Sequence, residues 1–311
     1  MIRKLKLFME ILLISSVTLF LGGCNVPILE PKGIVALHER NLILIAVALM
    51  LIVVIPVFIM TFVFAWKYRA SNTKAKYDPE FTHSTWIELV CWGVPCAIIV
   101  VLATITWIST HELDPYKPLD VSTKPITIQA ISLDWKWLFI YPEQNIATIN
   151  YIQFPVNVPI NFKITSDAPM NSLWIPELSG QIYSMTGMQT KLHMLATTLG
   201  DYNGGSASFS GAGFSDMNFI TRVSTQEEFD NWVTQVKKSP NTLSASVYDE
   251  IAKPSEKTPV TYYSSVKEGL YQDIINKFMS PMGDMKMSMP TQSTTSTEHS
   301  SGMSGMSDSS M

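Results

Sequence analysis

Two long uncharged segments occupy the first third of the chain. Residues 41–66 contain no charged side chain, and neither do residues 89–109. In a helix the first segment spans roughly 39 Å, enough to cross the ~30 Å hydrocarbon core of a bilayer with some tilt. The pattern therefore predicts two transmembrane helices, at about residues 42–66 and 88–109, which form an antiparallel hairpin.

The loop between these segments is basic. It carries Lys67, Arg69, Lys74 and Lys76. Positively charged residues flank membrane segments on the cytoplasmic side. The loop is therefore predicted to be cytoplasmic, which leaves both ends of the mature chain outside the inner membrane.

After residue 125 the hydrophobic pattern changes to a period of two, which is typical of half-buried strands. The alternation is clearest at residues 126–130 and 160–164. Further strands are predicted at residues 135–141, 148–152, 189–195 and 217–223, with Gly, Pro, Asn and Asp between them. Several short strands at regular spacing indicate a β-sandwich or a barrel.

Two capping boxes predict short helices after the strands. Ser224 with Glu227 forms the first box, and Ser265 with Glu268 forms the second. The apolar stripes that follow are Phe229, Trp232, Val233 and Val236, and then Leu270, Ile274, Ile275 and Phe278. After residue 279 the chain is rich in Met, Ser, Gly and Thr, a composition that predicts disorder. The alternative role of this tail is weak Cu(I) binding through its thioethers.

The amino terminus has the pattern of an export signal. A basic stretch precedes an apolar run at residues 11–21, which ends in Leu21-Gly-Gly-Cys24. This ending resembles a bacterial lipoprotein signal, with cleavage before Cys24 and a lipid on its sulfur. The alternative is an ordinary signal peptide followed by an unmodified cysteine.

These patterns divide the chain into five parts. They are a signal peptide at residues 1–23, a two-span transmembrane domain at 24–111, a periplasmic β domain at 112–237, a helical extension at 238–280 and a disordered tail at 281–311.

Composition and charge narrow the function. Of the 311 residues, 47% are hydrophobic and 15% are charged, which agrees with a membrane protein. The net charge of −4 and the lack of a basic cluster with interleaved aromatic residues argue against a nucleic-acid partner. Besides Cys24, the chain has Cys91 and Cys96, which are predicted to be small buried residues. No cysteine follows residue 96, so the β domain has neither a disulfide nor a thiolate metal site.

Residues 206–217 resemble the copper loop of subunit II of haem-copper oxidases, Cys-x-Glu-x-Cys-Gly-x-x-His-x-x-Met. We call this segment the degenerate copper loop. In that alignment Ser206 and Ser210 fall on the two bridging cysteines, Ser208 on the glutamate and Phe214 on the histidine, while Met217 is retained.

The second histidine of the copper site is also replaced. Asn171-Ser-Leu-Trp-Ile-Pro176 resembles the family pattern His-Ser-x-x-x-Pro, with Asn171 in place of the histidine. Bridging thiolates and imidazoles hold binuclear copper, and hydroxyl or phenyl groups cannot substitute. The sequence therefore predicts no metal site. His193, the one histidine of the β domain, is predicted to be a packed or hydrogen-bonded core residue rather than a ligand.

Further segments extend the resemblance over residues 31–279. They include Ala65-Trp-Lys-Tyr-Arg69, Asp134-Trp-Lys-Trp137, Tyr141-Pro-Glu-Gln144 and Gly187-Met-Gln-Thr190. Together they are similar to subunit II of the bacterial cytochrome bo-type ubiquinol oxidases. The fold class that this resemblance implies is membrane α plus all-β: two transmembrane helices, a periplasmic cupredoxin-like β-sandwich and short C-terminal helices.

The resemblance also implies a function. The chain would be a non-catalytic subunit of a proton-pumping oxidase that oxidises ubiquinol and reduces dioxygen to water in the bacterial inner membrane. It would bind no cofactor itself, because the haems and copper belong to subunit I. Its partners would be subunit I, further small membrane subunits and membrane lipid. A menaquinol oxidase subunit, a copper-bearing cytochrome c oxidase subunit and a stand-alone lipoprotein are the alternatives.

Three further residues gain a role from the resemblance. Glu88, at the cytoplasmic mouth of the second span, resembles a glutamate at the mouth of a proton path into subunit I. The alternative is that Glu88 is an interfacial carboxylate, which extends to water and has no role in proton uptake. Trp135 and Trp137 match an aromatic electron-transfer patch of copper-bearing relatives, and here packing and docking on subunit I are the expected roles.

Overall fold

The computed structural model describes residues 26–75 and 81–279. The signal peptide, Cys24, Lys76 and the Met-rich tail lie outside the described residues, so the predictions made for them stay predictions.

Two long helices begin the described chain, as predicted. Helix α1 is Ile34–Lys67 and helix α2 is Thr85–Glu112. Both are long and apolar enough to cross a membrane. Helix α1 begins eight residues before the predicted span, so its first two turns extend beyond the uncharged segment. Cys91 and Cys96 are exposed on α2, so the prediction that they are buried is wrong for the chain alone, because α2 has no packed neighbour on those faces.

Eleven strands follow within the described residues. In chain order they are β1 Ile126–Leu133, β2 Lys136–Tyr141, β3 Ile146–Ile149, β4 Tyr151–Pro155, β5 Ile160–Ser166, β6 Asn171–Ile175, β7 Ser179–Ser184, β8 Thr190–Met194, β9 Gly200–Ser206, β10 Asn218–Ser224 and β11 Thr261–Tyr263.

The strands form two sheets. The first has the order β11-β3-β2-β1-β5-β8, and the second has the order β4-β10-β9-β6-β7. Neighbours are antiparallel except β1 with β5 and β4 with β10. The predicted fold class is confirmed as two membrane-type helices followed by a two-sheet β-sandwich and short helices.

The predicted strand at residues 148–152 is two strands, because the chain crosses between the sheets at Asn150. Asn150 has a left-handed φ of 55°, which asparagine tolerates better than most residues. Its side-chain Oδ1 accepts a hydrogen bond of 2.8 Å from the backbone N–H of Trp137. This bond fixes the corner at the edge of β2.

Three short helices follow β10: α3 Gln226–Val236, α4 Ala245–Ile251 and, after β11, α5 Leu270–Lys277. The capping box of α3 pairs Thr225 with Glu228, one residue later than predicted, because Ser224 is the last residue of β10. The second predicted box is wrong. Helix α5 starts from Gly269 in a left-handed conformation and has no side-chain cap.

The first sheet is buried on both faces. Its inner face packs on the second sheet around Trp137, Phe139 and Phe162. Its outer face carries Ile131, Leu133, Leu138 and Ile140, which pack against Tyr248 of α4 and Leu270, Ile274 and Ile275 of α5. We call residues 238–279, which form this cover, the C-terminal arm. The arm shields an apolar face that β2, buried at every position, would otherwise expose.

A backbone seam fastens the start of α1 to the sandwich. The N–H of Lys32 donates to the Glu177 carbonyl at 2.7 Å, and the N–H of Thr197 donates to the Lys32 carbonyl at 2.8 Å. Gly33 lies so close to the backbone of Leu178 that an added Cβ would overlap its carbonyl. The seam therefore requires a glycine at this position.

Candidate functional site

The degenerate copper loop closes one end of the second sheet. Asn171 is the first residue of β6, Ser206 is the last of β9, and Met217 directly precedes β10. Strands β6 and β10 both pair with β9, so these ends meet. The topology therefore gathers the positions that the sequence aligned with copper ligands.

Asn171 is the centre of the site. Its Nδ2 donates to Ser210 Oγ at 3.0 Å and to Met217 Sδ at 3.2 Å. Its Oδ1 accepts from the backbone N–H of Ser172 at 2.8 Å. Asn171 and Met217 are both buried. One amide thus joins three of the positions where the family places ligands.

The two remaining serines are also hydrogen-bonded. Ser206 Oγ accepts from Trp137 Nε1 at 3.1 Å. Ser208 Oγ lies 2.8 Å from Ser172 Oγ, on β6. The hydroxyls that replace the copper ligands therefore bind the loop to the sheets on either side of it.

Trp135 covers the loop from the first sheet. It adopts a left-handed φ of 62°, and its Nε1 donates to the Ser210 carbonyl at 3.2 Å. A Cβ at Gly213 would lie 2.6 Å from the indole. The packing role predicted for the two tryptophans is confirmed: Trp135 packs on the loop here, and Trp137 is fully buried in the core between the sheets.

Phe214 does not join the hydrogen-bonded group. Its ring packs edge-on against Phe209, with centroids 5.5 Å apart. Phe209 is 79% exposed and was not singled out in the sequence. The tip of the loop is therefore aromatic and largely exposed in this chain.

His193 is a hydrogen-bonded residue of β8, as predicted. Its Nδ1 lies 2.6 Å from Asn161 Oδ1, and only 9% of the residue is exposed. Burial, with a smaller contribution from the charge of Lys191, lowers the pKa of His193 below its usual value. The described chain brings no second imidazole to it through a hydrogen bond.

Glu88 lies in the first turn of α2. Its Oε1 is 2.6 Å from His83 Nδ1, and His83 Nε2 is 3.3 Å from Thr85 Oγ1. About half of the Glu88 side chain is exposed. The sequence analysis missed His83 as the partner, although its position five residues before Glu88, at the start of the helix, was a usable signal.

Comparison with known proteins places the chain in a family. Residues 237–282 match the COX Aromatic Rich Motif, which coincides with the C-terminal arm. Cytochrome bo(3) ubiquinol oxidase subunit 2 of Pseudomonas aeruginosa is 55% identical, over 84% of this chain and 78% of that protein. Ubiquinol oxidase subunit 2 of Acetobacter aceti is 48% identical, over 86% of this chain and 87% of that protein.

The chain belongs to the ubiquinol oxidase subunit 2 family. Among solved structures, the periplasmic domain of subunit II of cytochrome oxidase from Bradyrhizobium japonicum is similar. It is 21% identical and covers 39% of this chain and 98% of that one, with a TM-score of 0.37.

In this chain the loop residues do not fit binuclear copper. The gathered donors are three hydroxyls, one amide and one thioether, and the thioether already accepts a hydrogen bond from Asn171. Among residues 26–75 and 81–279, no three His, Cys, Asp or Glu side chains are grouped to share a metal ion. These donors hold the loop through hydrogen bonds.

A buried lysine, which the sequence analysis missed, ties the aromatic-rich motif to the sandwich. Lys136 of β2 is 1% exposed. Its Nζ donates to the Lys253 carbonyl at 2.8 Å and to Ser255 Oγ at 2.5 Å. Burial lowers its pKa. Sequence alone gave no signal, because an alternating strand commonly carries lysine on its exposed face.

Proposed function

We propose that this chain is the copper-free subunit II of a proton-pumping quinol oxidase that oxidises ubiquinol and reduces dioxygen to water. It is a non-catalytic subunit that docks on subunit I, which holds the haems and copper. The observation that carries this proposal is the hydrogen-bonded degenerate copper loop, in a chain 55% identical to a ubiquinol oxidase subunit 2.

The loss of copper suits a donor that is dissolved in the membrane. Ubiquinol delivers electrons from within the bilayer, so it needs no metal relay on the periplasmic side. The residues of the loop then have a structural role. Asn171, Ser206 and Ser208 keep the loop folded through hydrogen bonds where relatives use a metal. Each such bond contributes about 0.5–1.5 kcal/mol to stability.

The proposed location is the bacterial inner membrane, with the sandwich in the periplasm. The basic loop that includes Lys67, Arg69 and Lys74 supports a cytoplasmic side for the loop. Cys24 is the proposed lipidation site, after removal of residues 1–23. We retain the division into residues 24–111, 112–237, 238–280 and 281–311 as part of this proposal. Further small membrane subunits and lipid are the remaining partners.

Glu88 is proposed to admit protons at the cytoplasmic mouth of α2. Its carboxylate is half exposed and contacts His83, so it can exchange protons with water on the side from which protons are taken up. The competing interpretation keeps Glu88 as an interfacial carboxylate with no role in proton uptake.

Purification of the complex tests the proposed function. The chain is tagged, purified in mild detergent, and examined by haem spectra, quinone extraction and oxygen uptake with ubiquinol, menaquinol and reduced cytochrome c. We expect haem to co-purify and ubiquinol to support turnover. A chain that purifies without haem would instead be a stand-alone lipoprotein, and turnover with cytochrome c alone would identify a cytochrome c oxidase subunit.

A further inference from the structure

A chamber lies where α1, the segment after α2 and the sandwich meet. Its volume is about 650 Å³, within the usual range of ligand sites. It is lined by the first turns of α1, by residues 112–120, by Ser179–Gln181 of β7 and by Leu192 and His193 of β8. We call it the interface chamber, because it lies at the end of both membrane-type helices.

Glu39, beside the buried residue Ser179, gives the interface chamber a polar wall. Ser179 is fully buried, and its Oγ has no hydrogen-bond partner within the described chain. Glu39 is half-buried, and its carboxylate lies against Gly180 of β7. The Ser179 hydroxyl is enclosed by protein atoms, so Glu39 is the side chain of this pair that a ligand in the interface chamber can reach.

The side chains that line the interface chamber carry an excess of negative charge. Four carboxylates line it, from Glu39, Glu112, Asp114 and Asp120, against one ammonium group, from Lys117. His38 and His193 are the other ionisable side chains of the lining. This excess of negative charge favours a cationic group, since a carboxylate forms its strongest hydrogen bonds with charged donors.

An apolar groove continues from the interface chamber between the two helices. The two cavities share Leu113, and the groove is lined by Leu42, Ile45 and Ala46 of α1 and by Leu102, Ile105, Thr106, Ser109 and Thr110 of α2. From Leu113 to Leu102 the groove runs roughly 17 Å along α2. That is about one leaflet of a ~30 Å hydrocarbon core.

We propose that the interface chamber and this groove form a binding site for one phospholipid with a primary ammonium head group. The ammonium lies among Glu39, Glu112 and Asp114, the phosphate faces Lys117, and one acyl chain fills the groove. A quinone ring is neutral and gains nothing from this charge. The inference rests on the proposed membrane orientation of the helices and not on the quinol chemistry.

Lipid retention by the whole oxidase tests the site. The purified complex is stripped with detergent and incubated with phosphatidylethanolamine or phosphatidylglycerol of identical chains, and bound lipid per haem is counted by mass spectrometry. We expect about one ethanolamine lipid to be retained per complex by the wild type, and at least fivefold less in Glu39→Gln and in Ala46→Phe. The matched controls are Glu256→Gln, an exposed carboxylate of the C-terminal arm, and Val47→Phe, on another face of α1.

The outcomes separate the possibilities. Equal retention in Ala46→Phe and Val47→Phe would overturn the groove, and equal retention of the two lipids would overturn the ammonium site. Retention of ubiquinone in place of lipid, or occupation of the groove by a helix of another subunit in the complex, would also overturn the proposal. Haem content of each variant reports assembly. A wild-type complex that does not oxidise ubiquinol would overturn the proposed function. Lipid retention would then stand as a separate result.

Discussion

At the scale of single residues, neutral hydrogen bonds replace metal bonds in the degenerate copper loop. Asn171 is a neutral donor at the place where the family has an imidazole, and its amide has two hydrogens for Ser210 and Met217. Such bonds need no cofactor insertion, but each one is weak. The loop therefore depends on several small contributions.

Replacement of Asn171 by alanine should destabilise the loop. Asn171→Ala removes both donated bonds and leaves the Ser210 hydroxyl without its donor, which should lower the free energy of unfolding by about 1–3 kcal/mol. Limited proteolysis of the assembled oxidase during heating measures the change. Asn203→Ala, at an exposed site on β9, is the control, and equal losses in the two variants would contradict the role of Asn171.

Substitutions at Glu88 separate its two interpretations. Glu88→Ala should lower quinol turnover several-fold, with haem content and assembly unchanged, because it removes an ionisable group at the proton uptake side. Glu88→Asp should retain more activity, since it keeps a carboxylate. Steady-state oxygen uptake measures both. Full activity in Glu88→Gln and Glu88→Ala alike would leave Glu88 as an interfacial residue only.

His193 gives the sandwich a dependence on pH. Its folded pKa is lowered, so below its ordinary value of 6.5 the unfolded chain binds a proton before the folded chain does. Stability present above pH 6.5 is therefore lost as the pH falls through the folded pKa. His193→Gln can keep a hydrogen bond to Asn161. Its unfolding temperature should therefore fall less between pH 7 and pH 5 than that of the wild type. If His38→Gln, at an exposed site on α1, has the same effect, His193 is not the cause.

At the scale of elements, the sequence predicts strands best where one face of the strand is polar and the other is apolar. The strands at 126–130 and 160–164 were found because their residues alternate. Strand β9 was missed, since Gly-Asp-Tyr-Asn-Gly-Gly-Ser has the composition of a turn and is a strand only because β10 and β6 pair with it. The break at Asn150 depends on a bond to Trp137 that lies 13 residues away.

The sequence predicted which residues form the candidate site, but it did not predict the hydrogen bonds between them. The loop positions came from the resemblance, and the structure gathers Asn171, Ser210 and Met217 as expected. Which serine bonds to which partner depends on strand pairing between distant segments. The partners Trp137 and Ser172 therefore had no sequence signal.

Restoring the family ligands should rebuild a metal site in the degenerate copper loop. The variant carries Asn171→His, Ser206→Cys, Ser208→Glu, Ser210→Cys and Phe214→His. It should bind copper with the electron paramagnetic resonance signal of a binuclear centre, because thiolates and imidazoles are then gathered around Met217. The same variant without the two cysteine changes is the control. A binuclear signal from the unchanged loop would contradict the account of its chemistry.

At the scale of the whole molecule, a backbone seam links the start of α1 to the sandwich. The backbone seam at Lys32 and Gly33 joins the chain before α1 to the turn after β6 and to the end of β8. Apolar side chains on the faces of α1 and α2 are exposed in this chain. These faces require lipid or other subunits to cover them. Because the seam joins α1 to the sandwich, it sets the position of the sandwich relative to the membrane.

A substitution at Gly33 tests the seam. Gly33→Val would place its Cβ against the Leu178 carbonyl, and the resulting shift should lower the yield of haem-containing complex severalfold and increase trypsin cleavage near residue 117. Gly93→Val, on α2, is the matched control, because a Cβ there has no neighbour within 4 Å. Equal yields from the two variants would show that the seam is dispensable.

The C-terminal arm also sets an order of events during biosynthesis. The first sheet has its four inner strands once Ser166 is made, but Leu270 of the C-terminal arm is made about 100 residues later. At ~5–20 residues per second this delay is roughly 5–20 s. During that time the apolar outer face of the first sheet has no cover, and any chaperone that serves this subunit has that interval in which to act.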